Sequence, residues 1–151
     1  MKMKKLIKMF SDVTIQPLLR ALTHERKFKI DTSYCDIHSL CNIPNSTKFI
    51  HKGLGVAIGA YVKLGENVTI YQNVSIGGSE KYLVNPENVS DVSPVIEDNV
   101  IILTGAGIFG NVTIGHDSII GAGSIVVDDI PPYSLVVGVP GRVIKKLNKK
   151  N

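Results

Sequence analysis

An aliphatic residue recurs at every sixth position through most of this 151-residue chain, and that period decides what the chain can fold into. Ile58, Leu64, Ile70 and Ile76 form one run. Ile96, Ile102, Ile108, Ile114, Ile120 and Val126 form a second, and Ile37, Ile43 and Phe49 form an earlier, weaker set. The other columns of the hexad agree. Four residues after the starts from 58 to 76 and from 96 to 120 stand Val62, Val68, Val74, Glu80, Val100, Ala106, Val112, Ser118 and Ser124. All but Glu80 are Val or small. Three residues after the starts the prevailing types are Asn, Asp and Gly, at Asn67, Asn73, Asn99, Gly105, Asn111, Asp117 and Gly123. These types best tolerate a left-handed backbone. A helix is excluded, because six is not a multiple of 3.6 and Gly or Asn at every turn would be costly. Strands this short, separated by such corners, keep changing direction, which excludes a flat sheet. The remaining solution is an all-β prism: a parallel β-helix with three hexads to each eighteen-residue turn and its aliphatic columns stacked inside.

Two interruptions break the period. Three extra residues lie around His51-Lys52-Gly53-Leu54-Gly55, and fourteen lie in roughly Ser79 to Val95. Loops that leave a regular solenoid without disrupting it are where function concentrates. Residues 1–34 read as a short helical segment with Leu6, Ile7, Phe10, Leu18, Leu19 and Leu22 as its apolar face and Pro17 as a break. The β-helix domain then runs over 35–145 with an extruded loop at 79–95. Val136 to Val143 reads as a final strand, and 146–151 as a basic tail, helical or unstructured.

Composition narrows the function classes. Seventeen Lys and Arg against thirteen Asp and Glu leave a net charge of +4, gathered at Lys2, Lys4, Lys5 and Lys8 and at Arg142, Lys145, Lys146, Lys149 and Lys150. The pattern would suit an anionic ligand, but solvated tails are the commoner explanation, and no nucleic-acid partner is expected. No apolar run reaches the ~18 residues of a membrane span, and the basic start lacks the apolar stretch of a signal peptide, so a cytoplasmic protein is expected. Cys35 and Cys41 form no CxxC pair and read as two buried free thiols, with no metal site implied. No GxGxxG or Walker A motif is present, so neither NAD nor a nucleoside triphosphate is indicated.

The chain resembles the hexapeptide-repeat acyltransferases, in their serine acetyltransferase-like branch. The residues that carry the resemblance are Asp36-Ile37-His38, His51 through Gly59, Asn67 through Gly78, Gly121 through Val126, and Pro131-Pro132 with Val137 through Arg142. The resemblance implies a left-handed β-helix, a homotrimer with active sites between subunits, and acetyl-CoA as the acyl donor. The family's catalytic His falls on His51, and the Asp that supports it falls on Asp36, at the family's spacing of fifteen residues. Three positions depart from the true serine enzymes. Ile50 stands where they carry an acceptor-binding Asp. Val92-Ser93-Pro94 replaces an Arg-His-Pro segment, and the loop after His51 is one residue longer. The helical region ahead of the repeats is also far shorter than theirs.

The chemistry is consistent with that assignment. An alcohol is a poor nucleophile at neutral pH, and His is the side chain best suited to take its proton during attack on a thioester. An Asp on the other ring nitrogen would fix the tautomer. Gly78 offers a backbone N–H to an oxyanion. By the resemblance, Thr104, Gly105, Ala106, Gly123 and Ser124 line the groove for the pantetheine arm, and Arg142 and Lys145 meet the phosphates. His116, at a regular corner, is expected in solvent, His38 is expected to be structural, and His24 has no case for chemistry. With the charges for an amino acid missing, the expected acceptor is a sugar hydroxyl of a surface polysaccharide or its precursor, with L-serine as the alternative. A γ-class carbonic anhydrase-like metal site lacks the required histidines. A non-catalytic scaffold would have no reason to keep the His bend paired with Asp36.

Overall fold

The computed structural model of the chain describes residues 34–78 and 92–148. The helical segment expected before Tyr34, most of the extruded loop and the last three residues lie outside that range. The strands are β1 (Asp36–Ile37), β2 (Lys48–Phe49), β3 (Ala57–Ile58), β4 (Lys63–Leu64), β5 (Thr69–Ile70), β6 (Ser75–Gly77), β7 (Val95–Ile96), β8 (Ile101–Ile102), β9 (Gly107–Phe109), β10 (Thr113–Ile114), β11 (Ile119–Ile120), β12 (Ile125–Val126), β13 (Ser134–Val137) and β14 (Arg142–Lys146). They stack into three sheets. The first is β1-β3-β6-β9-β12, the second β4-β7-β10, and the third β2-β5-β8-β11-β13-β14. Every pairing is parallel except β13 with β14.

The register obeys the hexad arithmetic. Ala57 pairs with Ser75 and Ile101 with Ile119, eighteen residues apart. Asp36 pairs with Ala57, twenty-one apart, which is one turn plus the three-residue interruption. Ser75 pairs with Gly107, thirty-two apart, which is one turn plus the fourteen. Both insertions therefore leave the ladder intact.

Inside the prism each full turn buries six side chains, all aliphatic except in the turn that starts at Ile114, where Ser118 and Ser124 take two of the places. For the turn that starts at Ile58 these are Ile58, Val62, Leu64, Val68, Ile70 and Val74, none more than 4% exposed. Burying a Val, Leu or Ile side chain contributes about 1.5–3 kcal/mol. That outweighs the ~1–2 kcal/mol that a left-handed corner costs a residue with a Cβ. Asn67, Asn73, Asn99, Gly105, Asp117 and Gly123 all take positive φ, as their column predicts. Tyr61 does so as well, at φ 62°, and Asn111 does not. There the strand runs on to Phe109, Gly110 bonds to the Gly77 carbonyl at 3.0 Å, and Gly110 itself makes the bend at φ 95°.

Several expectations need correction. The single final strand is two, β13 and β14, folded into an antiparallel hairpin. β13 is the last parallel strand of its sheet, and β14 pairs with its open side. β14 carries Arg142 and Lys145 and takes in Lys146, the first residue of the expected basic tail. Val95 belongs to β7, so the coil resumes before the end of the expected loop. Cys35 and Cys41 are only half-buried, packed against the core in the first coil, and Cys41 Sγ donates to the His38 carbonyl at 2.8 Å. His116 is half-buried too. Its Nδ1 lies 2.8 Å from Asp117 Oδ2, its backbone N–H donates to Glu97 Oε2 at 2.8 Å, and its ring meets Tyr133 edge-on at 5.0 Å. Among the described residues no helix is long and apolar enough to cross a membrane.

Candidate active site

The three-residue interruption is an irregular bend over Ile50–Gly53, where the chain passes from the third sheet to the first. With Phe49 held opposite Ile70 and Ala57 opposite Ser75, the surplus residues bulge outward. They do so by entering the left-handed region together. His51 sits at φ 52°, ψ 38°, Lys52 at φ 58°, ψ 23°, and Gly53 at φ 71°. Two consecutive non-glycine residues in this region carry strain of the kind found at functional sites. The bend is tied down at four points. Leu54 N–H donates to the His51 carbonyl at 3.2 Å and Val56 N–H to Gly53 at 2.9 Å. Gly55 N–H donates to Tyr34 at 2.8 Å, and Asn73 N–H to Leu54 at 2.8 Å. His51 and Lys52 are exposed while Gly53 is buried.

Below the bend the same edge continues as a stack of corners. Gly105 N–H donates to the Gln72 carbonyl at 3.1 Å, and Gly123 N–H to the Thr104 carbonyl at 2.9 Å. Tyr71-Gln72-Asn73, Leu103-Thr104-Gly105 and Gly121-Ala122-Gly123 thus lie one coil beneath another, and the β13–β14 hairpin closes the series. Gly105 and Gly123 take positive φ, and a Cβ built on either would meet nothing within 4 Å. The space outside these two glycines is open.

The other expected site residues divide. Asp36 is exposed on β1, the strand stacked against the bend through the bond from its N–H to the Val56 carbonyl at 2.8 Å. Its carboxylate makes no hydrogen bond to His51 within the chain. Ala106 and Ser124 are buried in the prism, so neither side chain lines a groove; Ser124 Oγ accepts from Gly138 N–H at 3.1 Å. Arg142 Nη1 is engaged with Asp128 Oδ2 at 3.1 Å, and both side chains are largely in solvent. Lys145 is exposed on β14. Gly78 stands on a different edge, between the first and second sheets, where the extruded loop leaves; a Cβ on it would lie 3.0 Å from the Val92 carbonyl.

Two hollows of about 550 and 480 Å³ flank the remaining edge, between the second and third sheets, and neither touches His51. Their acidic residues are engaged in structure: Asp98 Oδ1 accepts from Glu66 N–H at 2.8 Å, and Glu97 Oε2 from His116 N–H at 2.8 Å. Among the described residues no group of His, Cys, Asp or Glu could hold a metal ion.

No family model matches the chain. The serine acetyltransferase of Bacillus subtilis (strain 168) is 44% identical over 102 residues, which are 68% of this chain and 44% of that protein. The solved serine acetyltransferase of Neisseria gonorrhoeae superposes with a TM-score of 0.68 at 36% identity, over 77% of this chain and 43% of that one. This chain belongs to the serine acetyltransferase-like branch of the hexapeptide-repeat acyltransferases. Its prism is the left-handed parallel β-helix of that branch. A third relative, a serine acetyltransferase solved as a complex with CoA, superposes at 0.62 with 31% identity, over 73% of this chain and 42% of that one. The chain spans less than half the length of the branch members it matches.

Proposed function

We propose that the chain is an acetyl-CoA-dependent O-acetyltransferase with His51 as its general base and L-serine as its acceptor. The observation that carries this reading is the strained, solvent-facing bend that holds His51 at the head of an edge left open by Gly105 and Gly123. His51 removes the proton of the acceptor hydroxyl as its oxygen attacks the thioester carbonyl, and the proton then serves the departing thiolate. Acetyl-CoA supplies the activated acyl carbon and a good sulfur leaving group. Thr104, Gly105 and Gly123 offer the arm of that donor a surface of backbone, and Arg142 and Lys145 offer cations at the far end. Asp36, exposed on the neighbouring strand, is the carboxylate assigned to support the imidazolium.

His51 and Gly78 stand on different edges of one prism. That separation supports a homotrimer in which one copy's His51 edge meets the loop edge of the next, with Gly78 donating to the oxyanion there.

L-serine takes the leading place because the relatives it matches are serine acetyltransferases. Lys52, exposed beside His51, is the cation available to its carboxylate. A sugar hydroxyl is the second reading, favoured by one observation. Ser93 is 4% exposed and donates its hydroxyl to the Ala60 carbonyl at 3.1 Å, so it offers nothing to an amino acid, and Ile50 and Val92 are apolar.

The test is release of free thiol from acetyl-CoA with L-serine and with a panel of sugars and nucleotide-sugars, alongside the mass of the particle in solution. Turnover of L-serine by a trimer is the expected result. Turnover of sugars with L-serine inert would move the acceptor to the second reading, and no thiol release with any acceptor would overturn the enzyme itself.

A further inference from the structure

From the second coil on, each corner between the second and third sheets hands one carbonyl to the coil below it. Glu66 accepts from Asn99 N–H at 2.9 Å, Asp98 from Asp117 N–H at 3.0 Å, and His116 from Tyr133 N–H at 3.0 Å. Pro132 holds the next place in that series, since Leu135 pairs with Ile119 sixteen residues earlier and Pro132 stands at the same offset from His116. Its coil is followed by the antiparallel β14 and not by another coil. The ladder therefore supplies no donor to this carbonyl, and an unmet backbone acceptor is costly.

Lys146 supplies the donor. Its Nζ lies 3.2 Å from the Pro132 carbonyl and 3.1 Å from Ser134 Oγ. The two neighbouring carbonyls are taken as well. Ser134 Oγ donates to Pro131 at 2.6 Å, and Leu147 N–H donates to Tyr133 at 2.6 Å.

The interior is adapted to this arrangement. The strand registers place Val68, Val100, Ser118, Ser134 and Lys146 in one column on the inner side of the third sheet. Ser118 and Ser134 are fully buried where Val fills the same column higher up. A buried hydroxyl is tolerated when it is hydrogen-bonded, and these are. Ser134 N–H donates to Ser118 Oγ at 3.1 Å. At the other end of the hairpin Gly138 N–H donates to Ser124 Oγ at 3.1 Å, and Gly141 N–H to the Ile125 carbonyl at 2.6 Å. The three buried serines of the last coils thus all serve the β13–β14 hairpin.

We infer that Lys146 is the terminator of the solenoid: its ammonium makes the bond that a further coil would make, and so closes the C-terminal end of the prism. Repeated coils have no intrinsic stopping point, because each presents the same acceptors to the next. An ammonium suits the stop, since it brings three donors and no acceptor to a corner made of carbonyls and a hydroxyl. By its place in the chain Lys146 reads as the start of a basic tail. Its Nζ is instead committed to the last corner.

The test compares Lys146→Met, Lys146→Arg and Lys145→Met with the parent chain, by thermal unfolding and by hydrogen exchange at the Ser134 and Leu147 amides. Lys146→Met keeps the stem and removes the donors. It should lower the melting temperature by about 3–6 °C and speed exchange at both amides about tenfold. Lys146→Arg, which keeps a donor, should recover most of both losses. Lys145→Met, opposite Leu135 on the outer face, should match the parent. Parent-level stability and exchange in Lys146→Met would overturn the inference. An equal loss in Lys146→Arg would trace the effect to the stem, and an equal loss in Lys145→Met to the charge of the hairpin; either result would overturn it too.

Discussion

Asn73 closes off the space beside Gly55: a Cβ added to Gly55 would overlap Oδ1 of Asn73, and Gly55 itself lies at φ 67°. The His51 bend is thus clamped to the coil beneath it by side-chain packing as well as by the bond from Asn73 N–H to Leu54. Gly55→Ala should therefore destabilise the chain by about 2–3 kcal/mol, from the left-handed backbone and the displaced Asn73 together. Thermal unfolding of the variant checks this, and an unchanged melting temperature would contradict the clamp.

His51→Ala should lower acetyl transfer by about 10²–10⁴-fold while leaving the fold and coenzyme binding as they are. Asp36→Asn should cost less, because it alters the support of the ring and leaves the base in place. Steady-state kinetics with circular dichroism on both variants decides the order. Parent-level activity in His51→Ala would remove this residue from the mechanism.

Gly123→Asn should fold normally, since Asn accepts a left-handed corner and no atom lies within 4 Å of the new Cβ. It should nonetheless raise KM for acetyl-CoA by roughly tenfold, because a side chain would stand on the open edge. A normal KM would show that the donor takes another route.

Lys52→Gln should raise KM for L-serine by about 5- to 20-fold and leave KM for acetyl-CoA alone, as expected for loss of a charge that meets a carboxylate. An equal rise for both substrates would point instead to damage to the bend.

Much of this architecture was legible in the sequence because a six-residue period with a corner of Asn, Asp or Gly has few physical solutions. The two long-range offsets followed from counting residues between Phe49 and Ile58 and between Ile76 and Ile96. Tyr61 was not legible: the ladder forces its corner to positive φ although its side chain disfavours it. Nor was the shift of the bend from Asn111 to Gly110, which follows from one more ladder bond at Phe109. The β13–β14 hairpin escaped because a short apolar run does not say which side of a sheet it will pair with. Within the site, His51 stood out by breaking the period.

The unbroken register across both insertions means that strand pairing in the coils does not depend on how long either insertion is. The coils beneath the bend form a fixed rail, and the bend and the extruded loop are appendages whose lengths the rail never senses. Acceptor preference in a chain built this way can therefore drift by changes confined to those appendages, with no readjustment in the part that would carry the donor.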